Sequence, residues 1–104
     1  MTDQTVTFIN IITTDPEHQP QVIDLLTEGT DRVIRHRPGF GSVTLFASVD
    51  GRTVINLARW ESADAVKATQ GDPAAAEFAR RTAEIAQATP GLYRQVVEIL
   101  GTTD

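Results

Sequence analysis

Apolar and polar residues alternate through residues 5–12, where Phe8, Asn10 and Ile12 fall on one face and β-branched residues dominate; the stretch reads as a strand. Asp15-Pro16 then gives a helix-start signal. From there to about His36 the apolar residues Val22, Leu25, Leu26, Gly29 and Val33 recur at helical spacing. Pro20 lacks a backbone donor, so the helix either begins irregularly or starts at that point. Pro38-Gly39 ends it. Residues 41–49 form a second alternating run, with Val43, Leu45 and Ala47 on one face and Thr44, Phe46 and Ser48 on the other. Asp50-Gly51 is a hairpin signal that turns this strand back, antiparallel, into the run ending at Trp60. Ser62 caps a short helix over about 63–69, Gly71-Asp72-Pro73 breaks it, and a further helix is predicted over 73–88. Pro90-Gly91 reads as its stop, residues 92–100 as the last strand, and 101–104 as a polar tail.

The resulting order is βαββαβ with a split second helix. It predicts an α+β, ferredoxin-like fold: a four-stranded antiparallel sheet with helices on one face. Ile9, Ile11, Ile55 and Leu57 fall on the opposite face. Covering them calls for self-association, so a homodimer is expected.

At 104 residues the chain reads as one domain. A net charge of −5 argues against nucleic-acid binding, which needs a basic surface. No stretch is apolar for long enough to span a bilayer, and residues 1–5 lack a signal-peptide pattern, so no membrane is expected and the reading is cytoplasmic. The absence of cysteine removes disulfides, thiolate nucleophiles and sulfur-ligated metal sites, and no metal centre is expected.

The candidate chemistry lies in the third strand. Val54, Asn56, Ala58 and Trp60 share a face, so a carboxamide and an indole project from a small apolar surface. That suggests a pocket wall with two polar handles. Asn10, on the neighbouring part of the sheet, offers a further amide donor. A strand Asn is more often a satisfied hydrogen-bonding residue, and a strand-end Trp a core plug, so spacing alone leaves both readings open. Phe8, Leu26, Phe46 and Phe78 are candidates to sandwich a flat ligand. Arg80 or its neighbour Arg81 would place a cation near it.

Pro38-Gly39-Phe40, the Asp50-Gly51 hairpin and the run Val54-Ile-Asn56-Leu-Ala-Arg-Trp60-Glu-Ser62 resemble the antibiotic biosynthesis monooxygenase family, across residues 6–100. The resemblance implies a dimeric α+β barrel. The Asn-x-x-x-Trp pattern is similar to that of cofactor-independent monooxygenases that oxidise anthrone-type polyketide rings to quinones with O₂. It implies catalytic roles for Asn56 and Trp60, a helix arginine corresponding to Arg80, no cofactor, and a small aromatic polycycle as substrate; Asn10, Phe8, Leu26, Phe46 and Phe78 are, by their placement, the further substrate-binding candidates. Relatives often carry Tyr where Val66 stands, so any phenol role is absent here. The other readings on this fold are a non-catalytic small-molecule-binding dimer, a polyketide cyclase, and a haem-degrading monooxygenase. The last needs an axial ligand, and residues 63–88 contain no His.

Overall fold

The computed structural model describes residues 4–103. Residues 1–3 and 104, at the ends of the polar N-terminal segment and tail, lie outside the described residues. Four strands and three α-helices follow one another as β1 (Val6–Thr13), α1 (Gln19–Arg32), β2 (Phe40–Ala47), β3 (Thr53–Trp60), α2 (Ala63–Gln70), α3 (Pro73–Ala83) and β4 (Gln87–Tyr93), with a single 3₁₀ turn at Ile34–His36. The sheet is antiparallel throughout, in the order β2-β3-β1-β4. This is the expected α+β, ferredoxin-like architecture. Among the described residues no helix is long and apolar enough to cross a membrane.

Local chemistry sets the boundaries. Asp15 Oδ1 accepts the His18 backbone N–H at 3.0 Å and closes a turn before α1. The α-helix therefore starts at Gln19, which places Pro20 in the first turn, where its missing N–H costs nothing. It also ends earlier than 36, because Val33 leaves helical geometry. Val22, Leu25 and Gly29 are its buried stripe, as the spacing predicts. A Cβ on Gly29 would lie 3.0 Å from the Phe78 ring, so the glycine is what lets α1 and α3 approach. Gly39, at φ 85°, makes the turn into β2, where a Cβ would meet that of Ala65 at 2.6 Å.

The β2–β3 connection is longer than a two-residue hairpin. The last backbone bond runs from Ser48 N–H to Thr53 O at 2.9 Å, leaving a four-residue loop at 49–52. Ser48 Oγ donates to Asp50 Oδ1 at 2.7 Å and accepts from Thr53 N–H at 2.8 Å, so side chains reinforce a backbone turn in which Gly51 N–H donates to Ser48 O at 3.1 Å. Ser62 caps α2 as anticipated, and Asp72, within the predicted break, caps α3.

The C-terminal third departs most from the expected boundaries. α3 stops at Ala83, not near 88, and β4 spans Gln87–Tyr93 instead of 92–100. Ile85 and Ala86 drop onto the core cluster of Ile12, Val22 and Val54, and Thr14 Oγ1 donates to Ile85 O at 3.0 Å. That anchor turns the chain into the sheet early. Pro90-Gly91 then lies inside the strand. β4 is an edge strand, where a proline without an N–H is tolerated. Residues 94–103 carry no regular structure, and Val96, Val97, Ile99 and Leu100 are 80, 67, 87 and 77% exposed. The radius of gyration, 14.7 Å, exceeds the roughly 13 Å typical of a compact chain this long.

The register sorts the sheet into two faces. Phe8, Asn10, Ile12, Val54, Asn56, Ala58 and Trp60 point toward the helices. Ile9, Ile11, Ile55, Leu57, Phe46 and Tyr93 point away, and Ile11, Phe46 and Tyr93 remain 42, 50 and 52% exposed. A second core cluster joins Ala58, Trp60 and Val66. Between the two clusters the helices do not close onto the sheet.

Candidate active site

A cavity of about 450 Å³ fills that gap. Phe8, Asn10, Asn56, Ala58 and Trp60 form its floor on the sheet, and Leu25, Leu26 and Gly29 its wall on α1. The opposite wall is Val66 and Thr69 of α2 with Phe78 and Thr82 of α3. Thr69 and Thr82 spend their hydroxyls on the backbone carbonyls one turn back, at 3.0 and 2.9 Å, and donate nothing into the space.

Asn10 and Asn56 are direct cross-strand partners in β1 and β3. Both point inward, so the two carboxamides stand side by side, with Cα atoms about 5 Å apart. The Oδ1 atom of each is buried and has no hydrogen-bond partner. Leaving such an acceptor unpaired costs about 1–3 kcal/mol. Two orphaned amides on one cavity floor therefore mark a place where a bound molecule completes the hydrogen bonding.

Trp60 follows on the same face, one strand repeat beyond Ala58. It is 4% exposed and packs edge-on against Phe40, with centroids 5.4 Å apart at 84°. Its indole N–H makes no hydrogen bond with any described residue, so it is both core plug and cavity wall. Ala58, between Asn56 and Trp60, keeps the floor low enough for a flat ring to lie on it.

Of the residues expected to bind substrate, Asn10, Phe8, Leu26 and Phe78 line the cavity with Asn56 and Trp60. Two do not. Phe46 lies on the opposite sheet face, because its register partner is Ile55, not Asn56. Arg80 points to solvent, where it pairs with Glu77 and Glu84, each at 2.7 Å; these partners raise its pKa further. The adjacent Arg81 is half-buried and stacks its guanidinium 5.2 Å from the Phe78 ring centroid, but it does not line the cavity either.

Sequence reasoning missed the alanine wall. Ala75, Ala79 and Ala83 line the cavity from α3 at four-residue spacing, joined by Ala76 and Ala86. Alanine abundance reads as a compositional bias, but the i, i+4 recurrence was the available signal. These short side chains give the cavity its width.

The cavity lining, all within the described residues, holds no His, Cys, Tyr, Asp, Glu, Lys or Arg. It therefore has no axial ligand for haem iron. Asp15, Glu17 and His18 bring ligand atoms within 4.8 Å of one another, but they lie outside the cavity lining. Asp15 instead pairs with His18 at 2.9 Å, which raises the pKa of the imidazole and lowers that of the carboxylate.

Comparison with known proteins gives relatives of this chain and of its fold. Tetracenomycin-F1 monooxygenase of Streptomyces glaucescens is 40% identical over 67 residues, a stretch covering 64% of this chain and 60% of that protein. The match thus spans less than two thirds of that relative's length. The ActVA-Orf6 monooxygenase of Streptomyces coelicolor, solved in complex with nanaomycin D, is 30% identical, with a TM-score of 0.79, over 95% of this chain and 93% of its own. SnoaB, a cofactor-independent oxygenase from Streptomyces nogalater, is 23% identical with a TM-score of 0.75, over 92% of this chain and 97% of its own, and supports the fold. The family model for the antibiotic biosynthesis monooxygenases matches residues 5–90, most of the chain, and the chain belongs to that family.

Proposed function

We propose that this protein is a cytoplasmic, cofactor-independent monooxygenase that oxidises an anthrone-type aromatic polyketide intermediate to a quinone with O₂. The observation that carries this reading is the pair of carboxamides with unpaired oxygens, Asn10 and Asn56, beside the Trp60 indole in the lining of an apolar cavity. The likeness to Tetracenomycin-F1 monooxygenase and to the ActVA-Orf6 monooxygenase solved with nanaomycin D supports it.

Triplet O₂ reacts sluggishly with closed-shell molecules, so a substrate without metal or flavin must supply the first electron itself. An anthrone does so as its enolate. The enolate passes one electron to O₂, and the radical pair joins through a new C–O bond. The resulting peroxide then loses water to leave a carbonyl. The protein holds the rings between the sheet floor and Leu26, Phe8 and Phe78. Asn56 and Trp60 direct N–H donors at the enolate oxygen and the reduced oxygen. Such pre-organised donors usually give the largest single catalytic contribution.

Trp60→Phe tests this directly, because it keeps the ring packed on Phe40 and removes only the donor. Dihydroxyanthrone oxidation followed with an oxygen electrode should slow by about tenfold or more. Wild type should form no quinone under anaerobic conditions. An unchanged rate in the variant removes Trp60 from catalysis, and O₂-independent turnover removes the reaction class.

We also propose that the working form is a homodimer. Two apolar surfaces of the chain lie uncovered: the outer sheet face and the arm beyond Tyr93. Val96, Val97, Ile99 and Leu100 have strand-forming character but no strand to pair with, and a second copy offers both a sheet edge and a matching face. Sedimentation at micromolar concentration should give a dimer for the full chain and a monomer for a chain ended at Tyr93. A monomeric full chain overturns the proposal.

A further inference from the structure

The cavity offers the N–H groups of its amides and indole, beside the two unpaired amide oxygens of Asn10 and Asn56, and nothing that takes up a proton near neutral pH. Its polar lining consists of Asn10, Asn56, Trp60, Gln70 and threonines, none of which titrates near neutral pH. Among the described residues, the side chains that do titrate lie outside the cavity lining. His18 is held by Asp15, and a ring nitrogen of His36 lies 3.1 Å from Asp31 O. Tyr93, the sole tyrosine, is on the opposite sheet face. Charges on the elements packed around the cavity are spent in pairs or exposed. Glu28 pairs with Arg32 on α1, Asp72 at the start of α3 with Arg37, and Lys67 of α2 is exposed. Arg81 on α3 sits behind Phe78 as a fixed positive charge that cannot accept a proton.

Such a site favours an anion but has no means of making one. An apolar cavity raises the free energy of a desolvated enolate, while N–H donors lower it. Resting on the monooxygenase reading, we infer that the substrate binds as its preformed enolate, its proton having been lost to water, and that the protein supplies no general base. Reaction by this route balances. The benzylic CH₂ gives one proton to water and one electron to O₂, and the carbon radical and superoxide join. The peroxide anion takes a proton from water, and loss of the second benzylic hydrogen with hydroxide releases water. The net change is CH₂ plus O₂ to C=O plus H₂O, with no redox partner beyond O₂.

The test uses the full chain with two probes, dihydroxyanthrone and a chloro-substituted dihydroxyanthrone of greater acidity. Because kcat/KM reports ionisations of the free reactants, its rising limb should move to lower pH with the chloro probe, by the difference between the two free pKa values. An apparent pKa common to both probes reveals a proton acceptor in the protein, from this chain or a second copy, and overturns the inference. Asn10→Asp plants a carboxylate on the floor and should add a limb that does not move with the probe. Anaerobic titration reads binding without turnover. The bound absorption spectrum should be that of the anion, and a neutral bound form above the free pKa also overturns the inference. If the anion binds yet no quinone forms in air, the inference stands and the monooxygenase reading falls. No binding of either probe removes both.

Discussion

Asn56→Ala should cut O₂-dependent quinone formation by about a hundredfold while leaving the fold at least as stable as before. The activity loss follows from removing a donor aimed at developing negative charge, typically worth about 3 kcal/mol. The stability gain follows from the same side chain in the empty protein. Asn56 Oδ1 is buried without a partner, a burden of about 1–3 kcal/mol, and the amide faces the cavity, so its truncation removes little packing. In a domain of this size 1 kcal/mol moves Tm by about 4–8 °C, which thermal unfolding resolves. Opposite signs in activity and stability distinguish a functional residue from a structural one. Asn10→Ala should behave alike. If both amides hold one anion, the double variant should lose less activity than the product of the single losses. A fall in Tm parallel to the loss of rate would reassign Asn56 to the scaffold.

Asn56 and Asn10 are both legible as candidates in the sequence, but their direct pairing is a matter of register and not of period. Alternation along one strand puts Asn56, Ala58 and Trp60 on a shared face, and that much is local. That Asn10 lies directly across from Asn56 depends on how β1 slides along β3, which the cores on both sides decide together. The same limit explains Phe46, whose strand was legible but whose exposed face became clear only once Ile55 was its neighbour. Arg80 and Arg81 are adjacent, so which one stacks on Phe78 rests on the rotation of α3 about its axis. That rotation is set by Phe78 packing toward Gly29.

The misread boundary after α3 has a different origin. Pro90-Gly91 is a sound local turn signal, overridden because an edge strand tolerates it and because Ile85 finds the core first. Residues 92–100 were read as a strand from their apolar, β-branched run. Only Leu92 and Tyr93 join the sheet, and the rest of the run extends beyond it. Residues 94–100 form no strand here: their apolar, β-branched run has no neighbouring strand in this chain, and this is the physical basis for expecting a second copy.

Ala58→Leu should abolish turnover without unfolding the protein, and the way it does so tests whether substrate lies across the floor. Ala58 is buried between the carboxamide and the indole, opposite Phe8 on β1 and Val43 on β2. In a packed core such an enlargement costs about 1–3 kcal/mol. Here the added isobutyl group can enter a cavity of about 450 Å³, where new apolar contact offsets the crowding, so Tm should change little. The bound ring would be lifted off both donors, however. A displacement of about 1 Å at a reacting centre costs on the order of a hundredfold, and kcat/KM should fall by at least that much. Ala74→Leu, at an exposed position of α3 outside the cavity lining, should leave the rate untouched and serves as the control. Full activity in Ala58→Leu would mean that the rings bind elsewhere, against the alanine wall of α3, with Asn56 and Trp60 beyond their reach.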